Sequence, residues 1–110
     1  MQRRDYIIIQ KVVSEIDLGL EMLGTSDLDA FLRDEKLKRA IGMTVINIGE
    51  LIKSVSLDLK EAYPQIPWKA IAGMRDLTAH KYQTLRMEDV YFTAKNDFPA
   101  LKIQLESLLN

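Results

Sequence analysis

The chain has 110 residues, a length suited to one domain spanning residues 1–110, and 47% of them are hydrophobic, which argues against disordered and fibrous classes. Fifteen basic and sixteen acidic side chains leave a net charge of −1, too balanced for a protein that coats nucleic acid through many phosphate contacts, although a local basic groove stays open. Cysteine is absent, which rules out a disulfide framework or thiolate metal site and suits a reducing cytoplasm, and no run reaches the ~18 apolar residues of a membrane helix.

Arg3 and Arg4 precede an apolar Tyr6–Ile9 run in the manner of a secretory signal, but Lys11, Glu15 and Asp17 interrupt it. From there the pattern is helical. Tyr6, Ile9, Val13, Ile16, Leu20 and Leu23 recur at alternating steps of three and four, predicting a first helix that Gly24 ends. Ser26 with Asp29 three positions on predicts the start of a short second helix through Arg33. A long helix follows over 34–62, with Leu37, Ile41, Val45, Ile48, Ile52, Val55 and Leu59 on one face. Pro64 and Pro67 bracket a tight connection, and Pro67 opens a fourth helix running to about Lys81. The last helix, 86–109, keeps Tyr91, Ala94, Phe98, Leu101, Leu105 and Leu108 in phase across Pro99, predicting one kinked helix. Without strand patterns or repeats, the expectation is an all-α, up-and-down bundle of four main helices plus a short extra one.

The fourth helix is apolar on two sides, with Trp68, Ile71, Ala72 and Ala79 on one and Ala70, Met74 and Leu77 nearly opposite. Burial on both sides is expected, the second by another subunit. The same helix carries the only histidine, His80, five residues after Arg75 and two before Tyr82. On a straight helix Arg75 and His80 point about 140° apart and sit ~7.5 Å apart along the axis. Either His80 lies where the helix ends, or the site is assembled from two copies of the chain.

Taken singly, these residues have ordinary readings: a surface histidine, an arginine paired with Asp76 or with Glu50, a tyrosine at the edge of the core. One histidine and no cysteine leave no ligand-spaced metal cluster, so neither metal nor cofactor is expected. No nucleophile elbow and no glycine-rich phosphate loop are present. Metal-free acid–base chemistry around an arginine and a histidine remains. RNA cleavage by attack of the 2′-hydroxyl on its neighbouring phosphate suits that toolkit, since it needs a base, an acid and a cation for the charge building on phosphorus. A two-fold dimer would supply two of each group around one cleft.

These residues also form a signature. Arg75, four residues, His80, one residue and Tyr82 give R-x4-H-x-Y, with polar Asp76 directly after the arginine. Together with Ile48-Gly49-Glu50 and the block from Tyr63 to Met74, the pattern resembles HepT-like proteins of the HEPN superfamily, the toxin half of prokaryotic MNT–HEPN toxin–antitoxin pairs. Lys81, Gln83 and Thr84 depart from the small or aromatic residues associated with that part of the family. The resemblance implies an all-α homodimer and a metal-independent endoribonuclease of a type VII-like system, with Arg75 and His80 catalytic and Asp76 supporting. It also implies a cytoplasmic nucleotidyltransferase antitoxin that transfers AMP to Tyr82. Two other readings stand beside it: a non-catalytic module that docks a nucleotidyltransferase or nucleotide, and a helical adaptor in which Arg75 and His80 are paired and buried away from any cleft.

Overall fold

A computed structural model describes all residues, Met1–Asn110, and it is helical throughout with no strand. Seven α-helices follow one another: α1 (Arg3–Leu23), α2 (Leu28–Leu32), α3 (Glu35–Lys53), α4 (Leu57–Ala62), α5 (Trp68–His80), α6 (Met87–Phe92) and α7 (Phe98–Leu109), with a π-helical segment, Thr93–Asp97, joining the last two. The molecule measures 42 × 27 × 20 Å, and none of its helices is long and apolar enough to cross a membrane.

The four main helices are α1, α3, α5 and the continuous α6–π–α7 rod, with α3 packed against α1 on one side and α5 on the other. Their shared core contains Ile9, Val12 and Ile16 of α1, Ile41, Ile48 and Ile52 of α3, and Val90, Ala94, Phe98 and Leu105 of the rod. Gly24 ends α1 as anticipated, at φ 54°, a left-handed value that favours glycine, and its N–H donates to Leu20. The buried line of α1 keeps the anticipated Ile9, Ile16 and Leu23 and is broader than the anticipated stripe, with Val13 and Leu20 partly buried against the core. Asp5, Ile8, Ile9, Val12, Ile16, Gly19 and Leu23 face the core, whereas Tyr6 is exposed. The cap of α2 is Asp27, which accepts from the Ala30 N–H at 2.8 Å, rather than Ser26.

The long 34–62 helix is two helices. The first stops at Lys53, and Ser56 then caps α4, its hydroxyl accepting from the Leu59 N–H at 3.2 Å. Asp5 holds this break from across the bundle. Its buried carboxylate accepts from the Ser56 N–H at 2.9 Å and from the Ser56 hydroxyl at 2.6 Å. Val55 and Leu59 remain buried on either side of Ser56, so apolar phase persists where the backbone does not. There are therefore two short extra helices, not one.

Pro99 does not simply kink the last helix. The wider π turn lies just before it, with the Phe98 N–H donating to Thr93, five residues back. The rod remains one body, and Tyr91, Ala94, Phe98, Leu101 and Leu105 are all buried as their spacing predicts. Tyr91 also donates its hydroxyl to the Ser26 carbonyl at 3.1 Å, pinning the α1–α2 connection.

Candidate active site on the α3–α5 seam

Two glycines on α3, seven residues apart and therefore on one face, shape the seam with α5. A β-carbon at Gly49 would stand 2.1 Å from the Arg75 β-carbon and 2.7 Å from its γ-carbon, so only glycine lets α5 lie this close. At Gly42 a β-carbon would meet the Tyr82 ring at 3.2 Å. One glycine thus seats the arginine of the motif and the other seats its tyrosine.

Arg75 is fixed by charge as well as by packing. Its Nε lies 2.5 Å from Glu50 Oε1 and its Nη1 3.1 Å from Asp76 Oδ1. The Nε–H is not aimed at the Glu50 oxygen, so that contact is a charge pair rather than an aligned hydrogen bond. Lys53 reaches the same Asp76 oxygen, completing a Glu50–Arg75–Asp76–Lys53 chain of alternating sign. The Lys53 hydrogen bond, with help from Arg75, holds the Asp76 carboxyl below the usual aspartate range despite some opposing desolvation. The Arg75 side chain retains 20% exposure, so it lies at an edge open to solvent and is not sealed in the core.

His80 is the last residue of α5, the position named by one of the two alternatives that its spacing from Arg75 left open. Its side chain is exposed and makes no hydrogen bond or ion pair within the chain. The structure does not bring His80 into contact with Arg75; they occupy different sides of the same helix end. After the Lys81 cap the chain turns over residues 82–84, and Tyr82 folds back onto α3, half buried, with the Arg39 guanidinium carbon 5.7 Å from its ring centroid. Arg39 and Lys53 flank the two glycines on the same face of α3. By sequence Arg39 reads with Lys36 and Lys38 as a solvated face beside Asp34 and Glu35, and Lys53 carries no signal beyond its charge, though their 3-and-4 spacing around Gly42 and Gly49 is visible.

The second apolar side of α5 needs correction. Met74 packs on the core with Ile71, and Thr78 is fully buried, its hydroxyl donating to the Met74 carbonyl at 2.7 Å. Ala70, Gly73 and Leu77 remain exposed, as does Ala79, which overhangs the end of the seam. Beside this face runs a groove of about 330 Å³ between α5 and the rod, lined mainly by apolar groups that include Ala70, Met74, Phe98 and Leu101. No three acidic or histidine side chains are grouped to hold a metal ion.

A helical bundle with an arginine and a histidine near the end of one helix, and no metal-binding cluster, has the architecture of HEPN-type proteins. The chain belongs to the HepT-like family of that group: the family model described as Ribonuclease HepT-like matches residues 12–108. It is 32% identical over 108 residues to the probable ribonuclease HepT of Thermococcus cleftensis, covering 98% of each chain. It is 31% identical over 110 residues to a Methanocaldococcus jannaschii protein named as a candidate RNase, covering 99% of this chain and 95% of the relative. A similarly named protein of Caldanaerobacter subterraneus is 28% identical over 101 residues, covering 92% and 90%. No solved structure gives a significant match.

Proposed function

We propose that this protein is a metal-independent endoribonuclease, the toxin of a toxin–antitoxin pair, working as a homodimer and silenced when a nucleotidyltransferase joins AMP to Tyr82. The observation that carries the reading is the seating of Arg75. Gly49 and two carboxylates hold its guanidinium at a solvent-facing edge, one and a half turns before a histidine that has no structural task of its own.

In this reading a second copy docks on the exposed Gly73–Leu77–His80 side of α5, with His80 of each chain bordering one cleft and Arg75 reaching it from the α3 edge. One imidazole takes the 2′-hydroxyl proton as that oxygen attacks phosphorus, and another supplies a proton to the departing 5′-oxygen. Arg75 meets the growing negative charge on the phosphoryl oxygens, and Asp76 keeps the guanidinium in place. AMP on Tyr82, two residues from His80, puts a phosphodiester charge and a nucleoside where the RNA backbone would lie.

The test is cleavage of RNA by unmodified protein in the presence of chelator. His80→Ala and Arg75→Ala should each abolish cutting while sedimentation still shows a folded dimer. Co-expression with a cognate nucleotidyltransferase should add the mass of AMP, an addition absent in Tyr82→Phe. A His80→Ala protein that cuts as fast as its parent overturns the catalytic assignment.

One observation favours the second reading, a non-catalytic docking module: Arg75 is already matched by two carboxylates, and the Glu50–Arg75–Asp76–Lys53 chain as a whole carries no net positive charge. That module would bind its nucleotidyltransferase tightly and leave RNA intact. The same cleavage assay separates the two.

A further inference from the structure

Beside Tyr82 lies a shallow groove that the cleavage chemistry does not use. It holds about 220 Å³ and is lined by Arg39, Gly42, Met43, Ile46, Thr78, Ala79 and Tyr82. That is below the roughly 300 Å³ at which sites for whole small molecules begin, so it suits part of a nucleotide anchored from elsewhere. Its contents are one guanidinium, an aromatic ring and soft apolar surface, including a Met43 that is 55% exposed. The Tyr82 hydroxyl makes no hydrogen bond in the chain and is free to carry a substituent.

Arg39 is poised to change partners. Its present partner is Glu35, with Arg39 Nε 3.0 Å from Glu35 Oε1, an exposed pair one helical turn apart of the kind that contributes little. Glu35 would not be stranded by losing it, because Lys38 Nζ lies 3.1 Å from the other carboxylate oxygen. Lys38 is also the chief cause of the Glu35 carboxyl titrating below its usual range. Arg39 therefore leaves a compensated carboxylate behind when it turns to a stronger anion, and a guanidinium prefers a phosphate's oxygens for their geometry as well as their charge.

We propose that Arg39 and the Gly42–Met43–Ile46 groove form a nucleotide seat that clamps the AMP carried by Tyr82, with Arg39 on the phosphodiester and the base laid over Met43 and Ile46. This rests on the reading of Tyr82 as the modified residue. In the transfer, the Tyr82 phenol oxygen bonds to the α-phosphorus of ATP. The bond from that phosphorus to the oxygen bridging to the β-phosphate breaks, pyrophosphate departs with the electron pair, and the phenol proton passes to the transferase or to solvent. The product places a phosphodiester one bond beyond a ring that already lies against Arg39. The seat makes silencing a held state: the nucleotide is pinned to the face of α3 that also carries Gly49, against which Arg75 of α5 packs, about 10.5 Å along the axis at 1.5 Å per residue.

The seat is measured first on unmodified protein with free AMP. Amide shifts at Gly42, Met43 and Tyr82 should appear with AMP, weaken several-fold in Arg39→Lys and vanish in Arg39→Ala, whose exposed site leaves the fold intact. Adenosine, lacking the phosphate, should bind several-fold more weakly. Wild type and Arg39→Ala titrating alike would overturn the seat, whatever becomes of Tyr82. The modified protein supplies the second measurement: added phosphodiesterase should strip AMP from Arg39→Ala at least threefold faster than from wild type, and equal rates overturn the clamp. A co-expressed chain that never gains the mass of AMP overturns the silencing reading instead, and Arg39 is then judged by the free-AMP titration.

Discussion

The β-carbon of Arg75 stands where a β-carbon on Gly49 would have to go, with only 2.1 Å between the two positions. Backbone and side-chain stem cannot yield as a flexible tip would, so any residue but glycine at 49 must push α5 away from α3. Gly49→Ala should cost about 1–3 kcal/mol through overpacking, seen as a lower urea midpoint with unchanged slope. It should also free Arg75 from Glu50, and RNA cleavage should fall further than the loss of folded protein explains.

Gly73 makes the opposite prediction. A β-carbon there meets nothing within 4 Å, and the residue is exposed in the middle of α5. Alanine at this position removes the entropic penalty of helical glycine, so Gly73→Ala should stabilise the monomer by about 0.5–1 kcal/mol, read by denaturation at high dilution. If a second copy docks on this face, Leu77→Glu, one turn along and 42% exposed in the chain, should abolish self-association in sedimentation without lowering monomer stability. A dimer that survives Leu77→Glu places the interface elsewhere.

The helical stripes were legible because a side chain's burial follows its phase on the helix, and the rod from Tyr91 to Leu105 kept its phase even through a π turn. The break at Ser54–Ser56 was not legible for the same reason: Val55 and Leu59 continue the apolar rhythm while the backbone turns. What stops the helix is Asp5, 51 residues away, and no local pattern announces a partner at that distance. At the site, Arg75 with Asp76 or Glu50 could be anticipated from the motif and from charge. Lys53 on Asp76 and Arg39 over Tyr82 depend on which face of α3 meets α5, and that is decided by the two glycine notches.

Asp76 gives a pH dependence with a defined sign. Its carboxyl titrates lower in the folded chain than in the unfolded one, chiefly through Lys53. The folded state therefore binds fewer protons across that interval, and the stabilisation is present above the ordinary aspartate range and lost as pH falls through the lowered value. Asp76→Asn should melt below wild type at pH 6, with the gap closing as pH drops under about 3.9. A gap that stays constant on acidification would show that the carboxylate charge is not what matters there.

Asp5 offers a test of the bundle independent of the seam. Only 2% exposed, it accepts both hydrogen bonds that Ser56 donates, and removing it takes these partners from the N–H and hydroxyl of a half-buried residue. Asp5→Ala should cost about 2 kcal/mol. The double-mutant cycle with Ser56→Ala should give a coupling of about 1 kcal/mol or more, measured by chemical denaturation. Additive losses would mean that the two residues act separately.

The assignment of Arg75 and His80 to one cleft rests on their divergence within a single chain: His80 closes α5 facing solvent, while Arg75 turns toward α3. Mixing tests this directly. Arg75→Ala and His80→Ala proteins are each expected to be inactive, but a mixed dimer contains one intact arginine and one intact histidine on opposite chains. If those two groups meet across the interface, unfolding and refolding the two variants together should restore a measurable share of cleavage, at most about a quarter of wild type when half of the dimers are mixed, because each mixed cleft keeps one arginine and one of its two imidazoles and water must stand in for the missing acid. If each chain instead cuts with its own pair, the mixture stays as inactive as its components. Performing the same mixing in Leu77→Glu backgrounds should remove any restored activity, because protomers that cannot pair cannot share a cleft.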